Sequence, residues 1–199
     1  MRLLRHLKRL ITHKYWVLYY CIMCGETLRG LTHDMSKLLP VELFESIKYA
    51  TGETSPLRIS KKANGYSKAY LHHIGNNDHH YEHWIDDFDN GGHAIRMPYH
   101  CVVELICDYI GAAKTYQGSN FTFESEYDWW IEKSNKNILM HPDTKKFITF
   151  TLKECKRYEL HYKMHSQKHK YPNFNKYIHR MILNRNKLIN IYAEIINCK

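Results

Sequence analysis

One stretch of this chain constrains its fold more than any other: a run of apolar residues at helical spacing that includes a carboxylate. The helix that Pro98 is expected to open carries on one face, at intervals of three or four positions, Cys101, Leu105, Asp108 and Ala112. Asp108 therefore lies in the apolar stripe that faces the core. Because an unpaired buried carboxylate is costly, we expect Asp108 to have a buried partner, and Glu104 lies one turn back on the same face.

Helical spacing also dominates the rest of the sequence and predicts an all-α fold. The predicted helices cover residues 3–24, 40–49, 66–88 with a break at 75–78, 98–117, 144–168 and 173–197. Asp78 is expected to cap the segment after the break. Residues 51–65 contain glycine, serine, proline and three basic side chains and are predicted to form a surface loop. A turn is predicted at 89–92, and Tyr171-Pro172 is expected to separate the last two helices.

The length of 199 residues fits one domain, but charge divides the chain in two. Residues 1–140 contain 16 basic and 16 acidic side chains, whereas residues 141–199 contain 13 and 4 and so carry the whole net charge of +9. We expect a helical core at 1–140 and a basic helical extension at 141–199 packed on the same domain. The extension is interpreted either as solvated surface or as a wall that attracts phosphate-bearing substrates or nucleic acid.

Cysteine usage and hydropathy indicate a cytoplasmic protein. The six cysteines show no disulfide-framework spacing, and Cys21 and Cys24 form one C-x-x-C pair without a second pair. We interpret the cysteines as reduced core residues. The apolar run at residues 16–23 is too short to span a membrane, and no cleavage-site residues follow it, so no membrane association is expected.

Two histidine-containing segments point to a metal. His33 and Asp34 lie between apolar predicted helices, and adjacent residues of these types can both bind one metal where the backbone turns. Lys37 follows at a distance suited to holding a phosphate or pairing with Asp34. A second segment holds five histidines within 14 residues: His72, His73, His79, His80 and His83. If this segment is helical, His73, Asn77, His80 and Trp84 share one face, and His72 and His83 are interpreted as lying outside the site.

Together these blocks resemble the HD-domain superfamily of metal-dependent phosphohydrolases, over about residues 13–113. The resemblance lies in a first histidine, a His-Asp pair, further histidines where two metals are bound, and a final aspartate on an apolar helix. The matching residues are His13, the block His33-Asp34-Met35-Ser36-Lys37, the cluster from His73 to His80, and Asp108. In the block, Ser36 replaces the glycine of the family's H-D-x-G-K variant.

The chain is also similar to an uncharacterised bacterial and phage family. The blocks that carry this second resemblance are His13-Lys14, His33-Asp34-x-Ser36-Lys37, Asn77-x-His79-His80 with Trp84, and Met97-Pro98.

The HD resemblance implies a metal centre and an activity. It assigns a first metal to His13, His33, Asp34 and Asp108. It also implies that Asp34 bridges to a second metal held by His73 and either His79 or His80. Their nitrogen and oxygen donors suit one or two divalent ions of Mn, Fe, Co, Ni or Zn. The implied reaction is hydrolysis of a phosphate ester, in a nucleotide or cyclic nucleotide, by metal-activated water, with Asp34 and Lys37 as catalytic residues.

The substrate phosphate is expected to contact basic side chains, for which the candidates are Arg29, Lys37, Lys61, Lys62 and Arg96. Two alternatives stand beside this expectation. An HD-like helical fold with a di-iron centre can activate oxygen instead of water, which bound iron with an oxygen-sensitive optical spectrum would indicate. The chain could also be a non-enzymatic nucleotide or nucleic-acid binder that uses the basic C-terminal helices, which salt-dependent binding without metal would indicate.

Overall fold

The computed structural model describes residues 2–51, 54–165 and 173–197, and helices account for most of them, which confirms the predicted all-α class. The α-helices are α1 Arg2–Cys24, α2 Thr27–Thr32, α3 Pro40–Tyr49, α4 Pro56–Asn64, α5 Lys68–Asn76, α6 Tyr99–Gln117, α7 Phe123–Asn135, α8 Pro142–His165, α9 Phe174–Met181 and α10 Arg185–Asn197. Short 3-10 helices cover Met35–Leu38, Tyr81–Trp84, Phe88–Asn90 and Gly118–Asn120. A small antiparallel hairpin joins β1 (Ile85–Asp86) to β2 (His93–Ala94).

The centre of the fold is the long contact between α1 and α6. Val17 on α1 is fully buried, and a Cβ added to Gly111 of α6 would lie only 2.7 Å from Val17 Cγ2. The glycine therefore permits the two helices to approach closely. His13 lies one turn before Val17, and Asp108 lies one turn before Gly111, so the same approach brings these two side chains together.

A second close approach positions the His-Asp pair. The short helix α2 packs against α1 at Gly30, where an added Cβ would lie 2.6 Å from the Cβ of Cys21. Because α2 ends at Thr32, the next two residues, His33 and Asp34, emerge beside the middle of α1.

The opposite side of the core is built by α6, α7, α8 and the C-terminal helices. Trp130 of α7 and Phe147 of α8 are fully buried, and the apolar core extends from Val17 to Leu188. Tyr192 of α10 donates a hydrogen bond of 2.6 Å to the carbonyl of Met97. The described part of the basic extension thus shares one apolar core with the first 140 residues.

The predicted loop at residues 51–65 is wrong in its second half, where α4 runs from Pro56 to Asn64. Proline was interpreted as part of a loop, but Pro56 is the first residue of the helix, where the missing N–H costs nothing. Leu57 and Ser60 are the buried residues of α4. This face is too sparse in apolar residues to produce a clear helical pattern.

The helix predicted at residues 66–88 agrees with the structure up to its predicted break at 75–78, since α5 covers Lys68–Asn76, but the prediction that the helix resumes after the break is wrong. Asn77 is extended, and its side chain donates a hydrogen bond of 2.7 Å to the carbonyl of His73, which satisfies the helix end. Asp78 caps no helix and pairs instead with Arg29. The remainder of the segment forms the 3-10 helix Tyr81–Trp84 and β1.

At the C-terminus, the predicted helix 173–197 is divided into α9 and α10. Asn184 lies in the break and donates a 2.9 Å hydrogen bond to the carbonyl of His179. The predicted turn at 89–92 joins β1 to β2 and contains Gly91 and Gly92 at positive φ. The end of the predicted helix 144–168 and the Tyr171-Pro172 separator lie outside the described residues.

All the cysteines in the described ranges are buried free thiols: Cys21, Cys24, Cys101, Cys107 and Cys155. Cys198 lies outside those ranges. Among the residues that the structure describes, no helix has the length and apolar character that crossing a membrane requires.

Candidate metal centre

Four parts of the fold converge on one buried cluster. His13 lies on α1, and His33 and Asp34 lie in the turn after α2. His73 lies on α5, His79 and His80 lie in the turn after it, and Asp108 lies on α6. The cluster contains every ligand that the sequence predicted: His13, His33, Asp34, His73, His79, His80 and Asp108. These side chains form two groups that share Asp34, and His33 and His79 form a third possible group with Glu104.

The first group has the spacing of ligands around one ion. His13 Nε2 lies 3.1 Å from Asp108 Oδ1 and 3.5 Å from Asp34 Oδ2. His33 Nε2 lies 3.1 Å from Asp34 Oδ2 and 3.3 Å from His13 Nε2. Atoms bonded to one ion at about 2.1 Å stand about 3.0 Å apart in an octahedron and about 3.4 Å apart in a tetrahedron. These four side chains could therefore hold a metal ion without rearranging.

A backbone turn lets two adjacent residues serve this group. Asp34 has φ 57° and ψ 24°, a left-handed conformation that aspartate tolerates better than most residues. Lys14 fixes the turn from α1, since its Nζ donates hydrogen bonds of 2.7 Å and 2.5 Å to the carbonyls of Leu31 and His33. Lys14 therefore positions the His-Asp pair.

The second group lies on the other side of Asp34. Asp34 Oδ1 is 3.2 Å from His73 Nε2 and 3.6 Å from His79 Nε2. His80 Nε2 is 2.9 Å from His73 Nε2, so both His79 and His80 belong to the group. They reach it from the turn after α5, not from a continued helix, which corrects the reasoning that placed His80 on one helical face with His73.

The unpaired atoms of this group fit a metal. Asp34 Oδ1 and His79 Nε2 are buried, and neither has a hydrogen-bond partner within the described part of the chain. Buried polar atoms are nearly always paired, so an acceptor oxygen and a ring nitrogen directed at the same point call for a ligand. The two carboxylate oxygens of Asp34 face the two groups separately, as in a bridging carboxylate.

Glu104 fixes the orientation of two of the histidines. Its Oε1 lies 2.8 Å from His33 Nδ1 and 3.2 Å from His79 Nδ1, which directs the Nε2 atom of each ring to the metal groups. Burial would raise the pKa of Glu104, but the hydrogen bonds from these histidines outweigh burial and lower the pKa to about 2. Glu104 therefore stays ionised and fixes the ring tautomers.

Glu42 has the same role for the second group and was not predicted from the sequence. Its Oε2 lies 2.9 Å from His73 Nδ1. Ser36, from the His-Asp block, accepts a 2.7 Å hydrogen bond from Asn77, which ties the block to the end of α5. Glu42 was missed because nothing in its local pattern on α3 distinguishes it from an ordinary helix residue.

The surroundings of the candidate ligands shift their pKa values in different directions. Burial would raise the pKa of Asp34, but His33, Lys37 and His73 outweigh burial and hold that pKa well below its usual value. Burial, together with His79 and His73, lowers the pKa of His80 well below its usual value. Metal ligation needs ionised carboxylates and neutral imidazoles. Burial would lower the pKa of His33, but Asp34, Asp108 and Glu104 outweigh burial and raise that pKa well above its usual value, so a metal would have to displace a proton from this ring.

The two histidines predicted to lie outside the site bind other groups. His72 Nδ1 lies 2.7 Å from Glu42 Oε1, on the side of Glu42 away from His73. His83 is exposed, and its Nδ1 lies 2.9 Å from the carbonyl of Ile74. Neither histidine is part of a metal group.

A cavity of about 450 Å³ opens onto both groups, with His13, His73, His80 and Asp108 in its wall. Lys37 lines the same cavity and pairs with Asp34. Burial would lower the pKa of Lys37, but the carboxylates of Asp34 and Asp108 outweigh burial and raise that pKa. A protonated ammonium group therefore lies beside the metal groups.

Only some of the predicted substrate-binding residues line the cavity. Lys37 and Lys61 line the cavity, whereas Lys62 is exposed on α4 and does not. Arg29 lies behind the site, where its Nε is 2.5 Å from Glu104 Oε2 and its guanidinium also pairs with Asp78. Arg96 pairs with Asp143 at 3.4 Å, and neither arginine lines the cavity.

Three cavity arginines and one histidine were not predicted: Arg5, Arg9, Arg58 and His6. Arg5, His6 and Arg9 precede His13 on α1 at helical spacing, so the assignment of His13 as a ligand could have identified them. Arg58 lies on α4, in the segment predicted to be a loop.

Comparison with known proteins gives a family but no activity. No curated protein and no solved structure matches the chain. A family model described as a family of unknown function (DUF5662) matches residues 2–154, which include both metal groups and the whole cavity wall. The chain therefore belongs to the DUF5662 family.

Proposed function

We propose that this chain is a metal-dependent phosphohydrolase that acts on a phosphate ester, in a nucleotide or cyclic nucleotide. The observation that carries the proposal is a pair of histidine/aspartate groups sharing Asp34 at the floor of a cationic cavity. Besides Lys37, the cavity wall contains the basic residues Arg5, Arg9, Arg58 and Lys61. This combination suits phosphate hydrolysis, because metal and basic side chains together can neutralise negative charge on the phosphate while water attacks.

Two ions account for the ligand set better than one. The first would be held by His13, His33, Asp34 and Asp108, and the second by Asp34, His73, His79 and His80. The separate directions of the two Asp34 oxygens support a shared carboxylate. Nitrogen and oxygen donors in these proportions suit Mn, Fe, Co, Ni or Zn.

When bound, such ions lower the pKa of a coordinated water toward about 7 and neutralise charge on the phosphate. The remaining roles fall to the chain. Asp34 belongs to both groups and so fixes their positions relative to each other. Glu104 keeps His33 and His79 in the tautomers that ligation needs. Lys37 binds a phosphate oxygen with its ammonium group, which stays charged beside Asp34 and Asp108.

The size and lining of the cavity favour a small molecule. A volume of about 450 Å³ is within the range of small-molecule pockets. Tyr70 and Tyr116 add aromatic surface to the wall, against which the base of a nucleotide could pack. The described residues of the basic C-terminal helices do not line the cavity, so they contribute nothing to this proposal.

The test is hydrolysis by protein loaded with Mn²⁺ and assayed against p-nitrophenyl phosphate, its diester and a panel of nucleotides. We expect phosphate release that requires the metal and that is lost in Asp108→Ala. Failure of the fully loaded protein to hydrolyse any of these esters would overturn the proposal. Oxygen consumption by iron-loaded protein would favour the di-iron alternative instead.

A further inference from the structure

The cavity extends well beyond the metal groups, along the N-terminal half of α1. His13 lies at its floor, and Leu10, Arg9, His6 and Arg5 continue the wall toward the start of the helix. His6 precedes His13 by seven residues, a distance of about 10 Å at 1.5 Å per residue. α4 forms the facing wall with Arg58 and Lys61.

His6 is the unusual residue of this outer region. It is 6% exposed and lines the cavity, yet its Nε2 has no hydrogen-bond partner in the described ranges. Leaving a buried ring nitrogen unpaired is costly, so the atom is placed to bind something that enters the cavity. Burial and the nearby Lys37 lower the pKa of His6, so the ring is neutral and can donate one N–H.

The charges around His6 are of one sign. The charged side chains of the outer wall around His6 are all basic: Arg5, Arg9, Arg58 and Lys61. Asp108 is the single acidic residue of the whole cavity wall as described, and it lies at the metal end. Arg5 and Arg9 are fixed in place, since each donates a hydrogen bond to a main-chain carbonyl, of Thr51 at 2.9 Å and of Thr115 at 3.1 Å.

From this arrangement we infer that the outer wall is a second anion subsite, which binds a phosphate or carboxylate of the substrate about 10 Å from the metal groups. His6 Nε2–H donates to the anion, and Arg5 and Arg58 close on it from opposite walls. The substrate is therefore a small molecule with an anionic group at each end. This inference rests on the proposed function in one respect: that the group bound at the metal end is a phosphate ester.

Calorimetric titration tests the subsite without turnover. The probes are hexanediol bisphosphate, which can span the two ends, and hexyl monophosphate, which cannot. We expect the Mn²⁺-loaded protein to bind the bisphosphate about tenfold more tightly, because charge-assisted hydrogen bonds form at the second end. His6→Ala and the double variant Arg5→Gln/Arg58→Gln should each reduce this preference, because the bisphosphate loses more affinity than hexyl monophosphate does.

The matched control is a pair of adjacent lysines on α4. Lys61→Gln should weaken the preference, and Lys62→Gln, with the same charge change outside the cavity, should not. Because Arg5 and Arg58 are exposed, their double variant tests the subsite even if His6→Ala does not fold. Equal affinities for the two probes, or a preference that survives in the double variant, would overturn the subsite. Absence of hydrolysis with the preference intact would overturn only the proposed reaction.

Discussion

The first 140 residues and the last 59 differ in net charge and in whether their basic side chains line the cavity. Residues 1–140 have no net charge, yet they hold both metal groups and every basic residue of the cavity wall. Residues 141–199 carry the whole excess of +9, yet none of their described residues lines the cavity. Lys156 pairs with Glu124 and Asp128 on α7, and Arg157 pairs with Glu154 on its own helix.

The comparison shows that net charge over a stretch of sequence does not locate a binding site. In the first region, four acidic residues turn inward as candidate metal ligands or as partners of the histidines in the two groups: Asp34, Asp108, Glu42 and Glu104. Because those carboxylates are directed at the cavity floor, the wall above them is left with basic groups. The interpretation of the C-terminal helices as a wall of the site does not agree with the described geometry.

The largest expected effect in the first region is at the shared carboxylate. Asp34→Ala removes a ligand from both groups, so hydrolysis in the phosphatase assay should fall to background. The exposed Asp89 provides the control, since Asp89→Ala makes the same change in a turn outside the site. Equal activities of the two variants would show that Asp34 is no more important for hydrolysis than an exposed aspartate outside the site.

A smaller effect, on metal affinity, is expected at Glu104, which contacts two histidines of the metal groups. Glu104→Gln keeps the shape of the side chain but removes the charge that accepts from His33 and His79 and pairs with Arg29. Loss of such a partner lowers metal affinity by about 10- to 100-fold. Competition with a fluorescent chelator measures this affinity, and an unchanged value would show that Glu104 does not orient the ligands.

The smallest effect is expected in the basic extension. Lys153→Gln, Lys156→Gln and Arg157→Gln together remove three positive charges from α8, outside the cavity. Exposed charges are screened within about 8 Å at physiological salt, so KM and kcat should both stay within about twofold of the parent. A KM of the variant that exceeds that of the parent at low salt, but not at high salt, would show that these charges attract the substrate. The basic extension would then contribute to substrate binding after all.

Asp108 and the His33-Asp34 pair could be singled out from short local patterns, whereas His13 entered the candidate set through the HD resemblance. Asp108 interrupts an apolar helical face, and His33-Asp34 lies at a turn between helices. The predicted break at residues 75–78 coincides with the end of α5, but the helical phase of His73 does not continue across it to His80, because Asn77 closes the helix with its own side-chain hydrogen bond.

The partners of the ligands could not be predicted in the same way, since they depend on distant contacts. Glu42 meets His73 across 31 residues, and Glu104 meets His33 across 71. No local pattern specifies such pairs. The cavity wall was missed for a related reason, because it needed both α4, which was predicted as a loop, and the face of α1 that precedes His13.

If two metal groups share Asp34, the number of ions that the protein holds should depend on this residue more than on any other candidate ligand. Protein loaded with Mn²⁺ and freed of excess by gel filtration should contain about two ions per chain by elemental analysis. Asp108→Ala and His73→Ala should each retain about one ion, because each change disrupts one group, and Asp34→Ala should retain none. A parent protein without bound metal after loading, or an Asp34→Ala variant that keeps its full complement, would contradict the account.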